Sequence, residues 1–201
     1  MTVILPILQT GEPVLRKAAR LLRSNEIRSR EIRDLIEEMK QTMYAAPGVG
    51  LAAPQIGRSI QLAVIEDREQ YMKDWTAEQL AERERKPVPL HVIINPRLTL
   101  IGDKQVEFFE GCLSVQGMMA LVARSRRVRV ECLDENAKPK IIEAAGWYAR
   151  ILQHEIDHLL GTLYLDHMVS RTLMTLENYK KFWLGKSLDE LKDALGVDSG
   201  R

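Results

Sequence analysis

The pentapeptide His154-Glu155-Ile156-Asp157-His158 sets the tightest condition on what this chain can fold into. Residues Trp147–Leu160 carry a helical period, and Ile151, Leu152, Ile156 and Leu159 make that helix a core element. Two histidines four residues apart share one helix face, one turn from each other. The fold must therefore hold two imidazoles and a carboxylate among apolar residues, and burying such groups without partners is costly. A shared metal ion resolves the conflict. Neutral imidazoles at this spacing bind one ion, and Glu155 then stands beside the activated water as a proton acceptor. Gly161 follows as the expected C-cap.

The 201-residue chain has only four histidines and two cysteines, so a metal site must use a large share of them. Two candidates for a third ligand present themselves. Glu177, in TLENYKK, takes the downstream position used by HExxH peptidases. Cys112, in Glu110-Gly111-Cys112-Leu113-Ser114, offers a thiolate at the end of a predicted strand, with Gly111 permitting close approach of backbone. Cys132, mid-strand in VRVECLD, reads as a small core residue. Two thiols do not make a disulfide scaffold, and they suit a reducing compartment.

With 29 Lys+Arg against 28 Asp+Glu, the chain has no charge excess with which to hold nucleic acid or an anionic membrane surface. No apolar run approaches the roughly 18–20 residues of a membrane helix. The N-terminus has no basic region before its short apolar stretch and does not read as a secretory signal. The composition is that of a globular protein with one domain or two small ones.

The order of elements predicts an α+β fold with mixed, mainly antiparallel sheets packed around the metal-binding helix. A short helix is expected over Pro13–Leu22. A longer one over Arg28–Ala46 carries Ile32, Leu35, Ile36, Met39 and Met43 as one stripe, ended by Pro47 and Gly48. Ile60–Glu66 reads as a buried strand. Residues Asp67–Leu90 form a charged excursion, with Thr76 and Gln79 at capping-box spacing. Between His91 and Ala145 lie the strand-like runs HVIIN, RLTLI, KQVEFF, MMALVA, RVRVECL and PKIIEA, with turns at Gly102-Asp103 and Asp134–Ala137. In the tail, Ser187 and Glu190 cap a short helix whose Leu188, Leu191 and Leu195 pack on the domain. A dimer contact is the alternative.

A third segment, Gly48-Val49-Gly50-Leu51-Ala52-Ala53-Pro54-Gln55, is built of small residues that invite something to pack closely, and its lone Gln55 suggests an amide aimed into a site. Neither nucleotide-binding glycine pattern fits it. Taken together and in this order, GVGLAAPQ (Gly48–Gln55), EGCLS (Glu110–Ser114) and HEIDH (His154–His158) resemble the peptide deformylase family. The similarity runs from GEPVLRKAA at Gly11 to about Arg171. The insertion at 67–90, with AAGWYARILQHE and DHMVSRT, is similar to the branch that includes mitochondrial and plant-organelle enzymes.

The resemblance implies a single catalytic domain over residues 1–171 and a C-terminal extension over 172–201. It implies hydrolysis of the N-formyl group from the initiator methionine of new polypeptides, releasing formate. Cys112, His154 and His158 would bind one divalent metal, with Fe²⁺ the expected physiological ion and Zn²⁺, Ni²⁺ or Co²⁺ able to take its place. Glu155 would be the general acid–base, and the Gln55 amide and Leu113 N–H would stabilise the oxyanion. Gly50 and Gly111 would pair with the substrate backbone, and Val49, Phe108, Leu113 and Ile151 would line the methionine pocket. Arg150 replaces a residue that is apolar in many bacterial members, and Met119 stands where some members have Arg. Asp157 is expected to support the ligands. The implied partners are N-formylmethionyl nascent peptides in the vicinity of the ribosome, with no direct nucleic-acid or membrane contact and a monomer or homodimer as the state. The implied location is the bacterial cytoplasm, or an organelle matrix after removal of a transit peptide.

Overall fold

The computed structural model describes residues 3–197. In chain order the helices are α1 (Ser24–Ile27), α2 (Arg30–Ala45), α3 (Ala77–Glu82), α4 (Gly146–Leu159), α5 (Leu176–Asn178) and α6 (Leu188–Leu195). The strands are β1 (Gly50–Ala52), β2 (Leu62–Asp67), β3 (Val88–Leu100), β4 (Gln105–Cys112), β5 (Val115–Ser125), β6 (Arg127–Leu133), β7 (Pro139–Ala145) and β8 (Met174–Thr175). They form a five-stranded sheet in the order β1-β2-β3-β6-β7 and a three-stranded sheet in the order β4-β5-β8. Every ladder is antiparallel. The architecture is the expected α+β arrangement.

At β1, β2 and the middle of β3 the larger sheet is buried on both faces, which explains why these segments read as continuous apolar runs, whereas β6 and β7 bury one face only. Alternate residues point to opposite sides of a strand. Leu62, Val64, Val92 and Ile94 meet Ile32, Leu35, Ile36, Met39 and Met43 of α2. Ala63, Ile65 and Ile93 point the other way and meet Ala149, Ile151, Leu152, Ile156 and Leu159 of α4. Cys132 belongs to this second core, as the sequence implies. Helix α2 starts where Ser29 accepts a hydrogen bond from the Ile32 N–H at 3.2 Å.

Helix α4 thus has one apolar face on the larger sheet. Its polar side is stitched to the smaller sheet. Gln153 accepts from the Ser125 N–H at 3.1 Å and donates to the Ser125 carbonyl at 2.9 Å. Arg150 donates to the carbonyls of Val122 (2.9 Å) and Val106 (2.6 Å). One helix therefore fixes the mutual position of the two sheets.

Two local expectations change. Pro13–Leu22 is not a helix: only Pro13–Arg16 makes a 3₁₀ turn, and the chain then runs extended. The reason is that its backbone pairs elsewhere, with Ala19 N–H donating to Leu159 and Arg20 N–H to Ser59, while Gln61 N–H donates to the Arg20 carbonyl. HVIIN and RLTLI are one strand, β3, interrupted by a register shift between Ile94 and Arg97. At the shift Asn95 turns its side chain to the Leu22 backbone, accepting at 2.9 Å and donating at 2.8 Å. The expected caps at Thr76 and Ser187 are both formed. Helix α6 is anchored by buried Leu191 and by an ion pair from Lys192 to Glu107 of β4.

The 67–90 excursion closes at its neck through a buried pair. Arg85 donates to both carboxylate oxygens of Asp67, each at 2.8 Å. Replacing Asp67 with Ala should cost about 3–5 kcal/mol, because an uncompensated guanidinium stays buried. The double change Asp67→Leu with Arg85→Met should recover most of that loss. Denaturant midpoints of the two variants measure it, and a single-variant loss below about 1 kcal/mol would show a pair that water already shields.

Candidate active site

Strand β4 ends in Glu110-Gly111-Cys112, and a tight turn at Leu113-Ser114 returns the chain into β5. Alternation along β4 puts Glu110 and Cys112 on one side, facing α4. Cys112 Sγ lies 3.3 Å from His158 Nε2. One donor atom each from Cys112, His154 and His158 falls within 4.8 Å of the others. Glu177, the other candidate ligand, lies exposed on α5 and is not in this group.

Glu110 orients the cluster. Its carboxylate is 2.9 Å from His154 Nδ1, which leaves Nε2 free to face Cys112 and His158. Arg124 grips the same carboxylate with two bonds of 3.0 Å, and Arg150 adds a third at 2.6 Å. Arg124 also reaches Asp157, whose second neighbour is His167 at 3.3 Å. Asp157 thus joins the Glu110 network on the far side of Arg124. Burial by itself would raise the Glu110 carboxyl, but the bonds from His154 and Arg124 override it and hold the group ionised, well below the usual range.

Burial disfavours a charged imidazole at both histidines, and at His158 it prevails, keeping that ring neutral. At His154 the bonds to Cys112 and Glu110 outweigh burial and favour positive charge. A pocket whose anionic groups draw a proton onto a buried ring is one that favours a cation. One thiol and two imidazoles form a borderline-soft set suited to Zn²⁺, Fe²⁺, Co²⁺ or Ni²⁺. The residues fit a divalent ion.

Glu155 faces the same space. It is 4% exposed, and its Oε2 has no hydrogen-bond partner among the described residues. Burial pushes its carboxyl up to about 7. The approach of β1 explains the glycine at position 50, since a Cβ there would lie 2.2 Å from Glu155 Oε1. Gln55, 2% exposed, is aimed by its own carbonyl: Oε1 accepts from Ala52 N–H at 2.8 Å. Nε2 is thereby turned toward Ser114 Oγ (3.2 Å) and Cys112 Sγ (3.6 Å). The Leu113 N–H, in the tight turn, donates to no described residue.

These groups line a cleft of about 430 Å³. Its walls include Val49, Gly50, Gly111, Leu113 and Ile151, all expected there, together with Met119 and Arg150. It lies between two edge strands, β1 of the larger sheet and β4 of the smaller. Phe108 is a correction, because it does not border the cleft while its neighbour Phe109 does. Phe108 shares the α4-facing side of β4 with Glu110 and Cys112, and there it packs edge-on against Trp147, with ring centroids 6.1 Å apart, behind the cleft wall. Arg150 is 3% exposed and bound up with Glu110, so the position that is apolar in many bacterial members serves the ligand network here. Arg124 and Gln153 gave no signal in the sequence. The role of Glu110 was missed too, although its place two residues before Cys112 on one strand puts both on the same side.

A helix-borne His-Glu-x-x-His pair, completed by an upstream cysteine and opening on a cleft, defines a metallohydrolase-type centre. The polypeptide deformylase family model matches residues 4–173, and the chain belongs to that family. Among relatives, it is 48% identical over 172 residues to the chloroplastic peptide deformylase 1A of Solanum lycopersicum, covering 86% of this chain and 62% of that protein. The chain thus spans less than two thirds of that plant relative. It is 43% identical over 192 residues to peptide deformylase 3 of Streptomyces avermitilis, covering 96% and 84% respectively. Among solved structures, a class I type b peptide deformylase from Acinetobacter baumannii with Met-Ala-Ser bound superposes with a TM-score of 0.74 at 30% identity, covering 84% of this chain and all of that one.

The Glu110 network yields a test. Glu110→Gln should weaken metal affinity about 10–100-fold, because the His154 ring loses its anionic partner. Competition with a chromophoric chelator measures this, and unchanged affinity would show that the network only braces the fold.

Proposed function

We propose that this chain removes the N-formyl group from the N-terminal formyl-methionine of newly made polypeptides, releasing formate and a free amine. The observation that carries the reading is the convergence of Cys112, His154 and His158 beside the unpartnered carboxylate of Glu155. Those three residues would hold one divalent ion, which when bound supplies the Lewis acidity that makes water nucleophilic near neutral pH and polarises a carbonyl.

The remaining work falls to the chain's own groups. Glu155 takes a proton from the attacking water on its carboxylate and passes it to the departing amine nitrogen as the C–N bond breaks. Its raised basicity suits both halves of that transfer. Charge builds on the formyl oxygen as the carbon becomes tetrahedral. The Gln55 amide and the Leu113 N–H donate to that oxygen, each worth about 2.7–4 kcal/mol by the usual scale of such donors.

The substrate backbone lies extended between the open edges of β1 and β4, with Gly50 and Gly111 giving it room. Val49, Leu113 and Ile151 meet the methionine side chain, whose flexible thioether suits an apolar slot. Residues 1–171 carry the catalytic groups, and the extension that follows adds β8 to the smaller sheet. Fe²⁺ is the native ion, with Zn²⁺, Ni²⁺ or Co²⁺ as substitutes. The enzyme works close to the ribosome, in a bacterial cytoplasm or an organelle matrix. Among the described residues no helix is long and apolar enough to cross a membrane.

Glu155→Ala should retain one metal per chain while losing about 10²–10⁴-fold in turnover of formyl-Met peptides. Acetyl-Met and internal-peptide controls should remain uncleaved by the parent protein, and cleavage of the internal peptide would point to an endopeptidase. Protein prepared without oxygen and loaded with Fe²⁺ should outperform the same protein handled in air. Equal rates would favour Zn²⁺ or Ni²⁺ as the native ion.

A further inference from the structure

The 67–90 insertion reaches the wall of the cleft through a closed ring of alternating cations and aromatics. Arg83 stands over Trp75 at 4.9 Å and over Phe108 at 4.7 Å. Arg150 stands over Phe108 at 5.3 Å and Trp147 at 5.9 Å. Arg85 closes the ring, 5.3 Å from Trp147 and 5.0 Å from Trp75. Each separation is within the roughly 6 Å over which a guanidinium is attracted to a ring face. Trp75, Arg83 and Arg85 come from the insertion, whereas Trp147 and Arg150 are residues of α4 that border the cleft.

The backbone locks the same contact. Trp147 N–H donates to the Arg83 carbonyl at 2.9 Å, at the first turn of α4. Gly146 has φ +61°, and a Cβ there would lie 2.4 Å from Glu84 Cβ and 2.7 Å from the Arg83 carbonyl oxygen. Glu84 in turn is paired with Arg126. On the other side, the buried Asp67–Arg85 pair ties the ring to the end of β2. An excursion that only covered surface would need none of these ties to the helix that carries the metal ligands.

We infer that the insertion sets substrate selectivity, with Trp75 and Arg83 acting as positioning residues that hold Trp147 and Arg150 and so fix the width of the pocket for the first side chain. This rests on the deformylase reading of the cleft. The ring divides the labour: Phe108 and the insertion form its outer half, and Trp147 and Arg150 present its inner half to substrate. Loosening the outer half widens the range of side chains accepted while the metal ligands, Glu155 and Gln55 stay in place.

The test compares Trp75→Leu, Arg83→Met and Arg83→Lys, none of which borders the cleft, each metal-loaded to the same stoichiometry. Kinetics are measured on formyl-Met, formyl-Phe and formyl-Ala peptides, and Met-Ala-Ser binding is followed by calorimetry. Trp75→Leu and Arg83→Met should lower the preference for formyl-Met over formyl-Phe by roughly 3–10-fold, the scale of one or two such cation–aromatic contacts. The change should appear in KM, with kcat on formyl-Met within about twofold and Met-Ala-Ser bound more weakly. Arg83→Lys, which keeps a cation, should restore most of the preference. Equal losses on all three substrates, or an unchanged preference despite normal turnover, would overturn the inference. Absence of formyl-Met turnover in the parent protein would instead overturn the deformylase reading, and this inference with it.

Discussion

The Glu110 carboxylate is the constraint on which the rest of the site depends. It is buried, and it stays ionised only because Arg124, Arg150 and His154 converge on it from β5 and α4. A buried charge with three partners is satisfied, and removing the carboxylate would leave the buried Arg150 guanidinium without an ion-pair partner. That interdependence fixes the smaller sheet against α4 at the point where Cys112 must meet two imidazoles. The same contact selects which nitrogen of His154 faces the centre. Structure and chemistry are therefore set by one carboxylate.

Around it, the fold separates two jobs. The larger sheet and α2 supply packing, with both faces apolar along β2 and at Val92–Ile94 of β3. The smaller sheet contributes Glu110, Cys112 and Arg124 to the site that α4 completes, and it carries few large core residues of its own. The cleft lies where the edge strands of the two sheets come close, which leaves backbone donors and acceptors open to an extended peptide without any excess of surface charge. Under the proposed function, a chain with nearly equal numbers of acidic and basic residues would recognise an extended peptide in this way.

The donor residues were legible because their chemistry imposes spacing. Two histidines one turn apart in an apolar helix and a cysteine after a glycine at a strand end are hard to place otherwise. The supporting shell was less legible. Arg124 and Gln153 are far from α4 or β5, respectively, in sequence, and ordinary as residue types, so only tertiary contact reveals their roles. The helix expected over Pro13–Leu22 failed because its backbone donors are taken by Leu159 and Ser59, a non-local choice that local periodicity does not register. Phe108 was placed in the pocket from its resemblance to family positions. It does lie on the same side of β4 as Glu110 and Cys112, but Trp147 of α4 covers it there, and Phe109 borders the cleft instead.

In the proposed site one cysteine and two histidines from separate elements hold a single ion. X-ray absorption spectroscopy of protein loaded with one equivalent of Zn²⁺ tests it most directly. The account predicts one sulfur at about 2.3 Å and two imidazole nitrogens at about 2.0–2.1 Å in the metal's shell, with an oxygen completing it. A shell without sulfur, or one in which a carboxylate replaces the cysteine, would contradict it.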